Sequence, residues 1–356
     1  MKQWVLAAVM LCAGCGTTTE HNAQNAAVVG RSWINPDAGY PQSHASTLVQ
    51  TDSGALLAAW FGGTHERHQD VAIYVARWAD GTWQPALKVA TGSDSAGNPM
   101  PTWNPVLFQS PGQPLTLFYK VGPNPREWWG MMMQSADDGA TWSHPARLPD
   151  GMIGPVKNKP ITTGMGAWLA PSSTEDNGQW RLHFEQSKDQ GQNWTKTAEV
   201  DPGPGLDAIQ PSILTYPDGR LQALARTKQG VMASTWSYDR GRNWTPLAAI
   251  DLPNPNSGTD AVTLASGLQL LVYNHSAHAP NTPGKGPRYP LNIALSRDGE
   301  HWYPALPLEA EPIKEGYGYP AVIQTDNGLV HISYTVGRKR IRHVVVDPSR
   351  LAIQLP

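Results

Sequence analysis

Apolar runs along this chain are short, and they come in pairs. A polar residue opens a mostly apolar run, a turn follows, and a second apolar run returns. Residues 44–61, 104–120, 159–172, 210–226, 260–274 and 319–335 each read this way. The last unit, Tyr319-Pro-Ala-Val-Ile-Gln-Thr-Asp-Asn-Gly-Leu-Val-His-Ile-Ser-Tyr, shows the form plainly. Short runs bounded by turn residues predict β-hairpins and exclude long amphipathic helices. The regular return of one unit predicts a repeat architecture that fills the chain from residue 28 to 356.

A second pattern sits between the hairpins. Ser135-Ala-Asp137-Asp-Gly139-Ala-Thr-Trp142, Ser187-Lys-Asp189-Gln-Gly191-Gln-Asn-Trp194 and Ser237-Tyr-Asp239-Arg-Gly241-Arg-Asn-Trp244 are full copies of S-x-D-x-G-x-x-W. Ser296-Arg-Asp298-Gly299-Glu-His-Trp302 is shortened, and Asp80-Gly81-Thr82-Trp83 is degenerate. The Asp positions lie 57, 52, 50 and 59 residues apart, the period of a propeller blade. In such a turn the Asp carboxylate accepts backbone N–H groups, Gly takes a positive φ, and Trp packs between blades. The pattern is similar to the Asp-box of the sialidase superfamily. The predicted fold is all-β, a six-bladed β-propeller with Asp-box turns. The sixth hairpin has no box after Arg342-His-Val-Val-Val, so its outer strand is expected from residues 28–36, closing the ring.

Composition supports this reading. The chain holds 34 Gly, 32 Pro and 15 Trp but 4 Phe, which suits many short strands. A net charge of -2 and the absence of a phosphate-tracking basic run give no reason to expect nucleic acid as a partner. The N-terminus is apolar from Trp4 to Ala13, too short to span a bilayer, and Ala13-Gly14-Cys15 resembles a bacterial lipobox. Residues 1–15 are therefore read as a lipoprotein-type signal, with lipid on Cys15, and residues 16–27 as a tether. Cys12 stands where Leu is usual in a lipobox, and ordinary cleavage is the alternative. The expected location is the periplasm or the outer membrane, with membrane contact only through the anchor. With Cys12 and Cys15 alone, the folded part holds no disulfide, thiol nucleophile or cysteine metal site.

Propeller topology places side chains. Call the strands of a blade A to D from axis to rim. Starts of A, ends of B and starts of C then share one face, with the Asp-boxes on the other. The A starts are His44, Asn104, Lys159, Gln210, Asp260 and Tyr319, a polar ring expected around the channel mouth. Ends of B add Lys120, Arg226 and Asn274, and starts of C add Asp70 and Arg288. Trp103, Trp128 and Trp129 fall in the same loops. Cations fix carboxylates and aromatic faces stack on sugars, so an acidic glycan is the expected partner. His65 and His68 suggest metal ligation, but without further ligand spacing no metal or cofactor is expected.

Several of these residues match sialidase motifs. Tyr319 opens a segment similar to the family's Tyr strand before an Asn-Gly turn, which implies a nucleophile. Arg226 and Arg288 resemble the second and third arginines that hold the substrate carboxylate, and Asp70 resembles the acid/base. Two positions depart. His44-Ala-Ser stands where the family has Arg-Ile-Pro, and Gln210-Pro-Ser where it has the Glu base. A neutral imidazole makes no bidentate clamp, and an amide takes no phenolic proton. Glu66, Glu175, Asp260 and Glu315 are the candidate acids to stand in for that base.

The resemblance implies an exo-acting, retaining glycosidase that releases a terminal acidic sugar. Two alternatives stay open: a polysaccharide lyase acting on uronic-acid glycans, and a non-catalytic glycan-binding lipoprotein.

Overall fold

A computed structural model describes residues 26–278, 282 and 285–352. The expected signal, Cys15 and nearly all of the tether lie outside the described residues.

Six antiparallel sheets stand around an axis. Their A strands are Gln42–Gln50, Thr102–Phe108, Ile161–Thr162, Ala208–Thr215, Asp260–Thr263 and Tyr317–Gln324, here blades 1 to 6. The B strands, such as Leu56–Gly63, Leu115–Val121 and Leu221–Thr227, are buried along their whole length. Each is covered by a neighbouring blade on both faces, which is why it reads as an unbroken apolar run. Blade 6 takes its outer strand from the other end of the chain. Val28–Trp33 pairs with Arg340–Val346, joining Trp33 to Arg342 and Val28 to Val346. The expected closure is thus observed, and no blade edge is left at the seam.

The Asp-boxes adopt the geometry their sequence predicts. In the three full copies and the shortened one, the Ser hydroxyl accepts the Gly N–H at 2.7–2.8 Å, and the Trp indole donates to the Gly carbonyl at 2.9–3.2 Å; in the degenerate copy the Trp83 indole donates to His343 Nδ1 instead. The glycines of the first four lie at φ 81–89°, where a side chain is strained. Each box docks on the preceding blade. Trp244 stacks on Phe184 at 3.9 Å, and Trp194 meets Phe118 edge-on at 6.0 Å.

The other face is built differently. Four A strands carry a β-bulge near their start, between His44 and Thr47, opposite Phe118–Lys120, between Ile209 and Ser212, and between Gly318 and Ala321. At each bulge a non-glycine residue has positive φ: Ala45 (53°), Asn104 (33°), Gln210 (59°) and Tyr319 (53°). Such backbone costs about 1–3 kcal/mol per residue and re-aims the side chain. Hydrogen bonds across the blade seams hold it in place.

Candidate functional site

Tyr319 is the centre of that face. Its bulge turns the ring into the channel mouth, where the His44 imidazole lies 4.2 Å away, centroid to centroid. The Gln210 amide nitrogen is 3.4 Å from the Tyr319 hydroxyl, while Gln210 Oε1 is buried without a partner. The two pre-proline bulges of blades 4 and 6 therefore face each other across the mouth. Among the described residues, no carboxylate hydrogen-bonds to the Tyr319 hydroxyl.

Cations surround this pair. The Arg226 guanidinium lies between two rings, 5.4 Å from Trp180 and 5.6 Å from Tyr319. Arg288 packs against Gly318, so a Cβ there would sit 3.3 Å from its Nη1. Burial lowers the Arg288 pKa, Tyr319 opposes that, and Arg338 and Arg226 add to the lowering. Among the described residues neither Arg226 nor Arg288 forms an ion pair within 4.0 Å. His44 is buried, and its pKa falls well below the usual imidazole value. Desolvation is the main cause, with Arg338, Arg288, Lys157 and Arg226 adding repulsion. It is neutral, with Nδ1 on the Thr335 hydroxyl at 2.9 Å and Nε2 buried without a partner. His44 accordingly adds no charge to the cation cluster.

Other members of the expected ring serve the seams instead. Lys120 is completely buried and donates to the Pro155 carbonyl; burial pulls its pKa down to about 7, against the influence of Glu185. Asn104 donates to Val156 O at 3.1 Å, and Asn274 to Tyr317 O at 3.1 Å. These three tie one blade to the next, so their amides and ammonium are spent on backbone carbonyls. Lys159 is also displaced. It pairs with the buried Asp260 at 2.6 Å, and both line a 390 Å³ cavity with Gln50, Thr215 and Gln324. Those are A-strand ends, so this cavity lies toward the Asp-box face. The A strand of blade 3 is only Ile161–Thr162, and the irregular stretch before it carries Lys159 down the channel.

The lysine at the mouth is Lys157, which the strand-start rule misses by two residues. Its Nζ lies 5.7 Å from the Tyr319 ring centroid. It donates to Asn158 Oδ1 (2.7 Å), Thr259 O (2.9 Å) and Pro320 O (2.7 Å). Burial lowers its pKa to about 7, against the pull of Asp260. Three oxygen acceptors match the three N–H bonds of the ammonium form.

Asp70 stands in the loop after B of blade 1. Its carboxylate accepts Thr64 N (3.0 Å) and Thr64 Oγ1 (2.6 Å), and His68 Nδ1 is 2.8 Å away. Desolvation is the largest single influence and raises its pKa, but the bonds from Thr64 and His68 together outweigh it and leave the pKa lowered. Of the other acids, Glu66 pairs with Arg338, Glu315 lines a neighbouring cleft and Asp260 is used in the channel. Glu175 precedes the short 3-10 turn Asp176–Gly178, and its side chain makes no capping hydrogen bond there. The aromatic expectation narrows too. Trp103 is buried with its indole on Gly122 O at 2.7 Å, and Trp129 carries Arg147 over its ring at 5.1 Å. His65 and His68 face each other at 5.2 Å. Among the described residues, no group of three or more His, Cys, Asp or Glu is placed to hold a metal ion.

Arg338 is the second residue that sequence reasoning missed. It lies in the B–C turn of blade 6, the position that in other blades contributes Lys120, Arg226, Asp70 and Arg288. Applying the same rule to Gly337-Arg338-Lys339 would have found it.

Comparisons with known proteins agree with this architecture. The BNR repeat-like domain family matches residues 54–332. An anhydrosialidase of Macrobdella decora is 31% identical over 165 residues, 43% of this chain and 20% of that protein. The chain thus aligns to about a fifth of that curated relative's length. Among solved structures, a Hadza microbial sialidase matches with TM-score 0.73 and 20% identity, over 90% of this chain and 69% of the other. An intramolecular trans-sialidase of Ruminococcus gnavus, in complex with oseltamivir carboxylate, matches with TM-score 0.68 and 15% identity, over 92% and 99%. A Dyadobacter fermentans protein of unknown function matches with TM-score 0.71 and 18% identity, over 89% and 98%. At such identities the structural likeness speaks for the fold alone.

Proposed function

The chain belongs to the BNR repeat-like family of the sialidase superfamily, and from that premise we propose that it is an exo-acting glycoside hydrolase releasing a terminal acidic sugar. One observation carries this reading. Two arginines without ion-pair partners, Arg226 and Arg288, flank a strained tyrosine whose hydroxyl faces the Gln210 amide. Unpaired, largely buried guanidinium groups call for an anion, and a carboxylate suits their forked geometry. The relatives named as sialidases support a sialic acid or a related acidic sugar as the guest.

In this mechanism Arg226 and Arg288 hold the carboxylate and set the anomeric carbon above Tyr319. The Tyr319 oxygen bonds to the anomeric carbon as the bond to the leaving oxygen breaks, its phenolic proton passes to water in the mouth, and the reaction is retaining. Gln210 orients the hydroxyl but takes no proton. Arg226 and Lys157, 5.6 and 5.7 Å from the ring, stabilise negative charge that develops on the phenolic oxygen. Asp70 protonates the leaving oxygen and later activates water. Substrate that covers Asp70 and expels water must raise its pKa for that role, because Thr64 and His68 hold it lowered in the free protein. The protein would act as an exported lipoprotein anchored through Cys15.

The test is turnover of a fluorogenic sialoside and of related acidic glycosides. Tyr319→Phe should abolish turnover; unchanged turnover removes Tyr319 from the reaction. A second reading, elimination from a uronic-acid polymer, draws on one feature. His44 is a neutral imidazole with an unpartnered Nε2 beside the cations, as a base for an α-proton would be. An unsaturated product absorbing in the ultraviolet would establish that reading over hydrolysis.

A further inference from the structure

We propose that Arg338 supplies the guanidinium that position 44 lacks, completing a three-arginine clamp from a different blade. The inference rests on the carboxylate-binding reading above and adds a residue specific to this chain. Arg338 is fixed against the vacated position by backbone. Ser43, one residue before His44, donates its N–H to the Arg338 carbonyl at 3.0 Å, across the seam between blades 1 and 6. Gly337 donates to Gly316 O at 2.9 Å, and Tyr317 donates to Arg288 O at 2.9 Å. One hydrogen-bonded stitch therefore holds Arg338, Arg288 and the strand of Tyr319 in a common frame. Arg338 also sits at φ 61°, a conformation that costs a long side chain about 1–3 kcal/mol and persists where the surroundings enforce it.

Charge points the same way. Arg338 is the strongest cationic influence on His44 and the first on Arg288. Imidazole at 44 is neutral, so Arg226, Arg288 and Arg338 together restore three positive groups at the mouth. Glu66 of blade 1 pairs with Arg338 Nη1, leaving Nε and Nη2 without a hydrogen-bond partner among the described residues. Glu66 thus acts as the positioning residue that pins one edge of the guanidinium and turns the other outward. The side chains of both are partly exposed, 22% for Arg338 and 35% for Glu66, and both line a 610 Å³ cleft with His65, Glu315 and Lys339. A carboxylate entering by that cleft would meet Arg338, whose charge in turn reaches His44 and Arg288. The swap has a clear logic: a guanidinium lost from the A strand of blade 1 is returned by the turn of blade 6 packed against it.

The experiment compares a fluorogenic sialoside with its carboxamide derivative in the wild-type protein and in Arg338→Gly, which suits the positive φ. For the acid, KM should rise about tenfold to a hundredfold with a smaller change in kcat; for the carboxamide, little change is expected. Adding His44→Arg to Arg338→Gly should recover much of the loss on the acid. An Arg338→Gly variant that handles the acid as the wild type does overturns the proposal, and so does an equal loss on acid and carboxamide. Should the variant fail to fold, Arg338→Asn, which also tolerates the positive φ, provides the same comparison through KM. Failure of the wild-type protein to bind or turn over any acidic glycoside overturns the carboxylate reading itself, a result distinct from an inert Arg338.

Discussion

The amide of Gln210 faces the hydroxyl of Tyr319 at 3.4 Å, each residue carried on a strained bulge of its own blade. An acid in place of that amide would sit within reach of the phenolic proton. We therefore expect Gln210→Glu to raise kcat on a fluorogenic sialoside, by about a hundredfold if proton removal limits the rate. A fall in kcat would show that the neutral amide is itself required.

Lys157→Met is expected to destabilise the protein by about 3 kcal/mol, because Asn158 Oδ1, Thr259 O and Pro320 O would be left buried without a donor. Pro320 follows Tyr319 directly, so the bulge loosens as well. Urea unfolding measures the first effect, and a drop in kcat larger than any change in KM measures the second.

Gly299→Ala should cost roughly 2 kcal/mol or more. Its Cβ would fall 2.0 Å from the Tyr216 hydroxyl and 2.4 Å from Gln222 Oε1, at φ 81°. That hydroxyl and amide bond each other at 2.6 Å and hold the Gly299 carbonyl at 2.7 Å, so neither yields freely. Gly97→Ala is the control, since it shares a positive φ but meets nothing within 4 Å. Equal midpoints for the two variants would show that backbone strain alone accounts for the loss.

Stability should fall in mild acid through His331 and His343. His343 Nδ1 lies 3.2 Å from the Trp83 indole, a donor only, so its proton is on Nε2, 2.9 Å from His331 Nδ1. Desolvation lowers the pKa of His331 to about 4 and, with repulsion from His331, that of His343 to about 3. Both pKa values are depressed below 6.5, so the unfolded chain binds more protons in that window. The contribution is complete above about pH 6.5 and is lost as pH falls toward 4 and then 3, with His343 alone accounting for roughly 3 kcal/mol by pH 4. Thermal unfolding followed from pH 7.5 to 4.5 checks this, and His343→Gln should flatten the decline.

The fold was legible because its determinants are local. Asp137, Asp189, Asp239 and Asp298 organise their own turns, and each B strand carries its burial in its composition. The meeting of Tyr319 with Gln210 and Arg226 was legible too, since strand starts and strand ends share a face. What escaped depends on details of the backbone path. Lys157 replaces Lys159 because blade 3 has a two-residue inner strand, so polarity at a strand start selects the wrong lysine. Lys120, Asn104 and Asn274 look like site residues in the sequence, but neighbouring carbonyls consume them. A cross-blade partner of that kind has no local signature. Arg338 escaped because a turn between basic residues resembles an ordinary solvated turn.

The pairing of Val28–Trp33 with Arg340–Val346 also sets an order of events. Ribosomes make the first of these strands long before the second, so the earliest part of the propeller must wait, unpaired, for the latest. Until then the nascent molecule is an open arc with an exposed edge ready to join a neighbouring chain. Contacts of such large sequence separation form slowly, so ring closure is the step at which folding and aggregation compete. Truncation just before Arg340 would leave most of every blade encoded and still yield a protein unable to close.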